Sequence, residues 1–317
     1  MKVRFGFVAI ALDILEGSPN KTITVKAAEQ IINEQDRLNR FRRILQGNLT
    51  TTLRIMRYNA ARHIFVYRFT SKTVPLATHS LAANWDYISE FQDQWQEIGA
   101  FIKKHNLRVS AHPDHYTLLN SSAPEVLAAS IKDLDYHVSL FEAMGLPVQP
   151  QLVIHTGGLY KDKKQSIDRF LQEYNNLPPK IKLRIMLEND DKSYSAADVL
   201  SICKSAGCPM VLDIHHHFCN NSGEELHLLW PQIIKTWSGL IPKIHLSSPK
   251  NDKQIRSHAD FINVQDFLPF LQVAKKFDHD FDVMIEAKQK DLAMFKLVDQ
   301  LSAIQGITRV DHATIEL

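Results

Sequence analysis

Histidines and carboxylates recur in this chain at one kind of place, the end of a short apolar run. His112 follows LRVSA, His155 ends QLVIH, and Glu188 follows LRIML. Asp213 closes PMVLD and is followed by His215, His216 and His217. His245 stands in PKIHLSS, two residues after Lys243, and Glu286 follows FDVMI. His79 lies beyond the run 64–71, and His258 lies in the loop after the run 242–248. Imidazole nitrogen and carboxylate oxygen together form the donor set of divalent cations such as zinc or manganese. Buried carboxylates crowded together without cations would repel one another and take up protons. Two or three ions would satisfy the same groups, and clustered ions activate water and stabilise a phosphorane-like transition state. A single histidine of this set is commonly a core or surface residue, so the weight lies in the joint pattern. His215 and His217 flank His216, and strand alternation would turn them away from it, so one face of the triple enters a site. His105, His137, His227, His279 and His312 lack this context and read as structural or surface residues.

Something must gather positions from His79 to Glu286 into one place. β-like runs occur at 4–10, 64–71, 107–112, 151–156, 183–190, 209–216, 242–248 and 281–288. Several are almost continuously apolar, as expected of parallel strands covered on both faces. Amphipathic stretches lie between and after them, at 38–60, 86–105, 124–144, 165–175, 196–206, 225–237, 265–276 and 291–303. Strand then helix, repeated around the chain, predicts an α/β fold of the TIM-barrel type, with residues 1–317 as a single domain. The C-terminal strand ends of such a barrel form one rim, where its active sites lie. An open doubly wound sheet fits less well, because no Gly-rich phosphate turn follows the first run.

Composition is ordinary for a soluble globular chain: 317 residues, 44% hydrophobic and 23% charged. A net charge of +2 is too small to demand nucleic acid, so a DNA reading must rest on where the cations lie. The loop after the fourth run offers Lys161, Lys163 and Lys164, and the loop after the seventh offers Lys250, Lys253 and Arg256. Both would project from the rim and could position a phosphate backbone without reading sequence. Cys203, Cys208 and Cys219 are too few for a disulfide framework and point to a reducing compartment, and Cys203 and Cys208, without zinc-knuckle spacing, read as packing residues. The N-terminal apolar run breaks at Asp13 without a small-residue cleavage site and reads as a buried strand. No stretch reaches the ~20 apolar residues that span a bilayer. The cytoplasm, at the nucleoid, is the expected location, and no obligate protein partner is evident.

The stretches YRFTSKTVPLATH (67–79), LENDDKSY (187–194), KIHLSSPK (243–250), IRSHADF (255–261) and MIEAKQKD (284–291) resemble those of the bacterial UV damage endonucleases. The resemblance runs over essentially the whole chain, and the motifs in this order are highly specific. It implies a barrel related to endonuclease IV and a divalent metal cluster, with manganese the expected metal and zinc or magnesium the other choices. It implies double-stranded damaged DNA as substrate. The phosphodiester would be nicked 5′ to pyrimidine dimers, other photoproducts and abasic sites, leaving a 3′-hydroxyl. The family's metal ligands fall on His112, His155, Glu188, Asp213, His216, His245, His258 and Glu286. Glu188 would bridge two ions, one held also by His112 and His155, the other by Asp213, His245 and Glu286. A third ion would use His216 and His258. A catalytic part is implied for Glu188, for His79 near the scissile phosphate, and for Lys243, which matches a lysine that can be carboxylated in the family. A plain lysine contacting phosphate is the other reading of Lys243.

Two departures from the family pattern stand out. The segment HPDHY (112–116) places His115 and Tyr116 where the family usually has a Gln-type residue and an aromatic that wedge into the duplex. Histidine is shorter than glutamine and titrates near neutral pH, which bears on lesion preference. Ile10 stands where relatives often carry a polar Asn. Two other functions share parts of this pattern: a metal-dependent barrel sugar isomerase or epimerase, and a non-catalytic lesion-binding barrel. The first would need a closed polar pocket instead of basic loops, and the second would have no need of a full ligand set.

Overall fold

Eight short parallel strands, buried on both faces, close into a barrel in the computed structural model, which describes residues 1–317. They are β1 (Lys2–Val8), β2 (Val66–Phe69), β3 (Arg108–Ala111), β4 (Leu152–His155), β5 (Ile185–Glu188), β6 (Met210–Asp213), β7 (Lys243–Leu246) and β8 (Phe281–Ile285). Each neighbours the next in the sheet, β8 pairs with β1, and the pairing of β1 with β2 closes the ring. All eight expected runs contain strands; the first begins two residues early, at Lys2, and every run is cut short at its C-terminal end. Gly6 sits at the closure, where a Cβ would come within 2.0 Å of the Val66 carbonyl oxygen, so only glycine lets β1 and β2 meet there. The amphipathic stretches form helices between the strands, including Pro124–Ala143, Ala196–Ala206 and Lys290–Ser302. The single helix expected over 86–105 is divided at Phe91, whose buried ring packs edge-on against Trp85.

Two features lie outside the sequence expectation. A C-terminal hairpin, β9 (Thr308–Arg309) and β10 (Thr314–Glu316), adds to the N-terminal half of β1, the part of its edge that β2 does not reach. The run 209–216 does not continue as a strand through the histidine triple. It stops at Asp213, whose side chain accepts the His216 N–H and caps a short helix, Ile214–Cys219. A carboxylate that satisfies a free helical N–H favours turning over extension.

The core between strands and helices is apolar, and the barrel interior is divided. Val153, Met186 and Val211 from β4, β5 and β6 pack together with Trp237. Charged side chains occupy β3, β7 and β8. Asp282 takes both Nε and Nη2 of Arg108, and Lys243 donates to the Ser110 hydroxyl at 3.0 Å. All three cysteines are free. Cys203 and Cys208 meet, Sγ to Sγ at 3.9 Å, across the left-handed Gly207 that ends their helix, the packing role expected of them.

Candidate metal centre

Strand register assembles the centre. β4 and β5 align His155 with Glu188, and β6 and β7 align Asp213 with His245. His112 is the residue after β3, and Glu286 follows β8, with its N–H bonded to the Leu246 carbonyl. Each thus leaves the sheet at one rim.

Glu188, 1% exposed, lies at the middle. Its Oε2 faces His112 Nε2 at 3.1 Å and His155 Nε2 at 3.7 Å. Its Oε1 faces His245 Nδ1 at 2.7 Å and His216 Nδ1 at 3.8 Å. Three groups result, each with donor atoms within 4.8 Å of one another: His112–His155–Glu188, Glu188–Asp213–His216, and Glu188–His245–Glu286. The grouping differs from the allotment the family resemblance implies. Asp213 gathers with His216 and not with His245 and Glu286, because the helical turn after β6 brings positions three apart onto one side. His258 approaches Glu286 Oε2 at 3.9 Å and stands in none of the three groups.

The donors are arranged as cation ligands. His112 Nδ1 is 2.9 Å from the Pro113 carbonyl, and His216 Nδ1 is 2.9 Å from the Asn189 carbonyl. Carbonyls only accept, so both Nδ1 atoms carry protons and the ligand face of each ring is its Nε2, which in His112 lies beside Glu188 Oε2. Asp213 Oδ2, His155 Nδ1 and His245 Nε2 are buried and unpartnered. An unsatisfied buried carboxylate oxygen is costly, and a divalent cation removes the cost. Nitrogen and carboxylate oxygen without thiolate suit manganese, zinc or iron better than a soft ion.

Electrostatics follow the same geometry. Burial pushes the Glu188 carboxyl up, but attraction to His245 and His155 and hydrogen bonds from His112 and His245 hold it well below the usual range. Burial likewise opposes ionisation of Glu286, and Arg68 and His245 overcome it. Burial lowers His155. Burial also works against charge on His216, yet Asp213 and Glu188 raise it to about 9. His216 is therefore protonated at neutral pH and must lose that proton to bind a cation. Metal affinity of the ion-free protein should accordingly rise from pH 7 to pH 9, by up to about tenfold per unit for one displaced proton, and level off above. A competition titration against a chelating dye measures this; a flat profile would leave His216 outside the ligand set.

The remaining expected residues fall in several places. His215 and His217 are buried beside His216 but face elsewhere. His215 bridges the Ser247 hydroxyl and the Ile255 carbonyl, and His217 meets the Asn221 amide. The helix, not strand alternation, separates the triple. His79 caps the turn Ser80–Ala82 through Nδ1 and makes no bond to the cluster. Lys243 is 6% exposed inside the barrel, two residues before His245, where burial pushes its ammonium down to about 8. That position keeps it from a backbone lying on the rim. His115 and Tyr116 stand out at the rim with ring centroids 3.9 Å apart, Tyr116 71% exposed. Lys161, Lys164, Lys250 and Lys253 are exposed and unpaired. Lys163 is paired with Asp198 and Arg256 with Asp191, which offsets their charge.

Sequence reasoning missed Arg68, Asn189 and Lys290. Arg68, 11% exposed, is ion-paired with Glu286. The Asn189 side chain bonds both the N–H and the carbonyl of Asp213, pinning the ligand strand. Asn189 follows Glu188 directly, and an amide beside a ligand carboxylate was the available signal. Lys290 shares a groove with Arg68, His112, His115 and Glu286.

The family sequence model described as "UV-endonuclease UvdE" matches residues 3–317. The UV DNA damage endonuclease of Bacillus cereus (strain B4264) is 43% identical over 318 residues, covering 100% of both chains. That of Bacillus thuringiensis subsp. konkukian (strain 97-27) is 44% identical over the same span, again covering 100% of both chains. The crystal structure of SacUVDE superposes with a TM-score of 0.85 at 31% identity, covering 95% of this chain and 98% of that one.

Proposed function

Given that this chain belongs to the UV-endonuclease UvdE family, we propose that it nicks damaged duplex DNA at the centre built round Glu188. It is a metal-dependent endonuclease of DNA repair acting on ultraviolet lesions. The finer reading is a nick 5′ to pyrimidine dimers, other photoproducts and abasic sites, leaving a 3′-hydroxyl and a 5′-phosphate, with manganese as the metal. The enzyme would work at the nucleoid; no helix is long and apolar enough to cross a membrane. One observation carries the catalytic reading: each oxygen of a single buried carboxylate faces its own pair of imidazoles. That is the disposition of a bridging ligand. Divalent ions held there would supply a nucleophilic water at neutral pH and offset charge on the phosphate.

The chain's own groups have separable parts. Glu188 spans the centre; His112 and His155 serve one side of it, and His245, Glu286, Asp213 and His216 the other. His258 completes the edge next to Glu286. Asn189 holds Asp213 in place. Lys243, its pKa lowered by burial to about 8, gives up its proton more easily than an exposed lysine, and the neutral amine is the form that adds carbon dioxide. His79 would approach the strand being cut. The exposed lysines would hold the backbone, and the His115–Tyr116 tip would enter the duplex at the lesion.

The direct test is nicking of supercoiled plasmid, with and without ultraviolet irradiation, in chelator and with manganese, zinc or magnesium added. Irradiation- and metal-dependent conversion to open circles is expected, fastest with manganese. Equal cutting of irradiated and intact plasmid would overturn the lesion reading. Replacing Lys161 and Lys253 together by Ala should weaken binding to damaged and intact duplex alike. The log–log salt slope should fall by about 0.9 for each lost phosphate contact. An unchanged slope would place both lysines off the DNA.

A further inference from the structure

Arg68 and Lys290 are two cations in one groove, and neither is a metal ligand. The groove starts at His112 and Glu286 on the edge of the cluster and runs to His115 at the tip. Arg68 uses its guanidinium once, on Glu286, a carboxylate also 3.2 Å from His245 Nδ1. Its other N–H groups have no protein partner and are not sealed from solvent. Lys290, half-buried, makes no hydrogen bond or ion pair through its ammonium and lies near enough to Arg68 for repulsion. Its backbone is in the left-handed region, φ 46°, which disfavours a lysine. One carboxylate shared with the cluster leaves two neighbouring cations under-neutralised, and a second anion between them offsets the repulsion. A guanidinium fork with free donors beside an unpaired ammonium matches one diester phosphate.

We propose that Arg68 and Lys290 form a phosphate-binding subsite that holds the DNA backbone between the metal centre and the His115–Tyr116 tip. The subsite rests on the endonuclease reading and adds the contact that seats the strand next to Glu286. When Glu286 is committed to the cluster, Arg68 has no other counter-charge in the protein, and the phosphate becomes its partner.

The test is binding of a fluorescent duplex carrying one pyrimidine dimer, with a cleavage-resistant phosphorothioate 5′ to it, to the metal-loaded protein across a salt series, with metal content and thermal unfolding measured on the same preparations. Lys290→Gly removes the charge and suits the left-handed backbone. It should lower the salt slope by about 0.9 while metal content stays at the parent's level and Tm does not fall. Arg68→Lys keeps the charge and loses the fork, so the slope should hold while affinity drops several-fold. A parent-like slope in Lys290→Gly, or parent-like affinity in Arg68→Lys, would overturn the subsite. Parent protein that fails to nick irradiated plasmid would count against the endonuclease reading alone, because the slope is measured without catalysis.

Discussion

Glu188→Gln is expected to leave a folded barrel that has lost nicking activity and at least one metal ion. The carboxylate is the member shared by all three ligand groups, so its replacement disturbs each of them. An amide keeps the shape but offers one weak oxygen donor, and its NH₂ would face imidazoles positioned for a carboxylate. Loss of groups that merely orient a ligand costs about 10–100-fold in metal affinity or activity. Loss of the bridging ligand should exceed that, so activity should fall by at least about 100-fold. The fold should persist, because the strands around Glu188 are held by backbone pairing and by Val153, Met186 and Val211 beneath. The measurements are metal content by elemental analysis, far-ultraviolet circular dichroism, and plasmid nicking. Parent-like metal content with full activity would remove Glu188 from the bridging position.

Tyr116→Ala is expected to abolish most discrimination between irradiated and intact duplex while the metals stay bound. Opening a stacked duplex costs a few kcal/mol, and least where damage has already weakened pairing. An aromatic side chain entering the gap recovers about 1–3 kcal/mol by stacking. Tyr116 is 71% exposed at the rim, with the His115 ring against it, so the pair is presented outward and is not part of the core. Removing the ring should reduce the preference for a dimer-bearing duplex by roughly 5- to 150-fold, the equivalent of that stacking energy. His115→Gln should retain nicking, since neither His115 nor an amide in its place reaches the cluster. His115 Nδ1 is engaged instead with Asp114 at 2.7 Å. The check is competitive binding of single-dimer and intact duplexes to both variants. Undiminished selectivity in Tyr116→Ala would move lesion recognition to another loop.

Sequence alone determined the barrel and the chemistry of its rim. Period and apolarity are local properties, so eight runs covered on both faces could be recognised without knowing their neighbours, and all eight are strands. Ligand-type residues at the ends of those runs then had to meet, because a parallel barrel brings every strand end to the same rim. What the tertiary structure decided was who faces whom. The capping of His216 by Asp213 ended a strand that apolarity alone would have continued, and it turned His216, not His215 or His217, toward Glu188. Register divided the two oxygens of Glu188 between separate imidazole pairs. The same closure set Arg68 against Glu286, 218 positions away, and put Lys290 in their groove. Lys243 was drawn inside the barrel beside Ser110 and away from the rim. Such contacts depend on strand register and barrel closure, which are set by the packing of the whole molecule and leave no trace in the spacing of residues along any one segment.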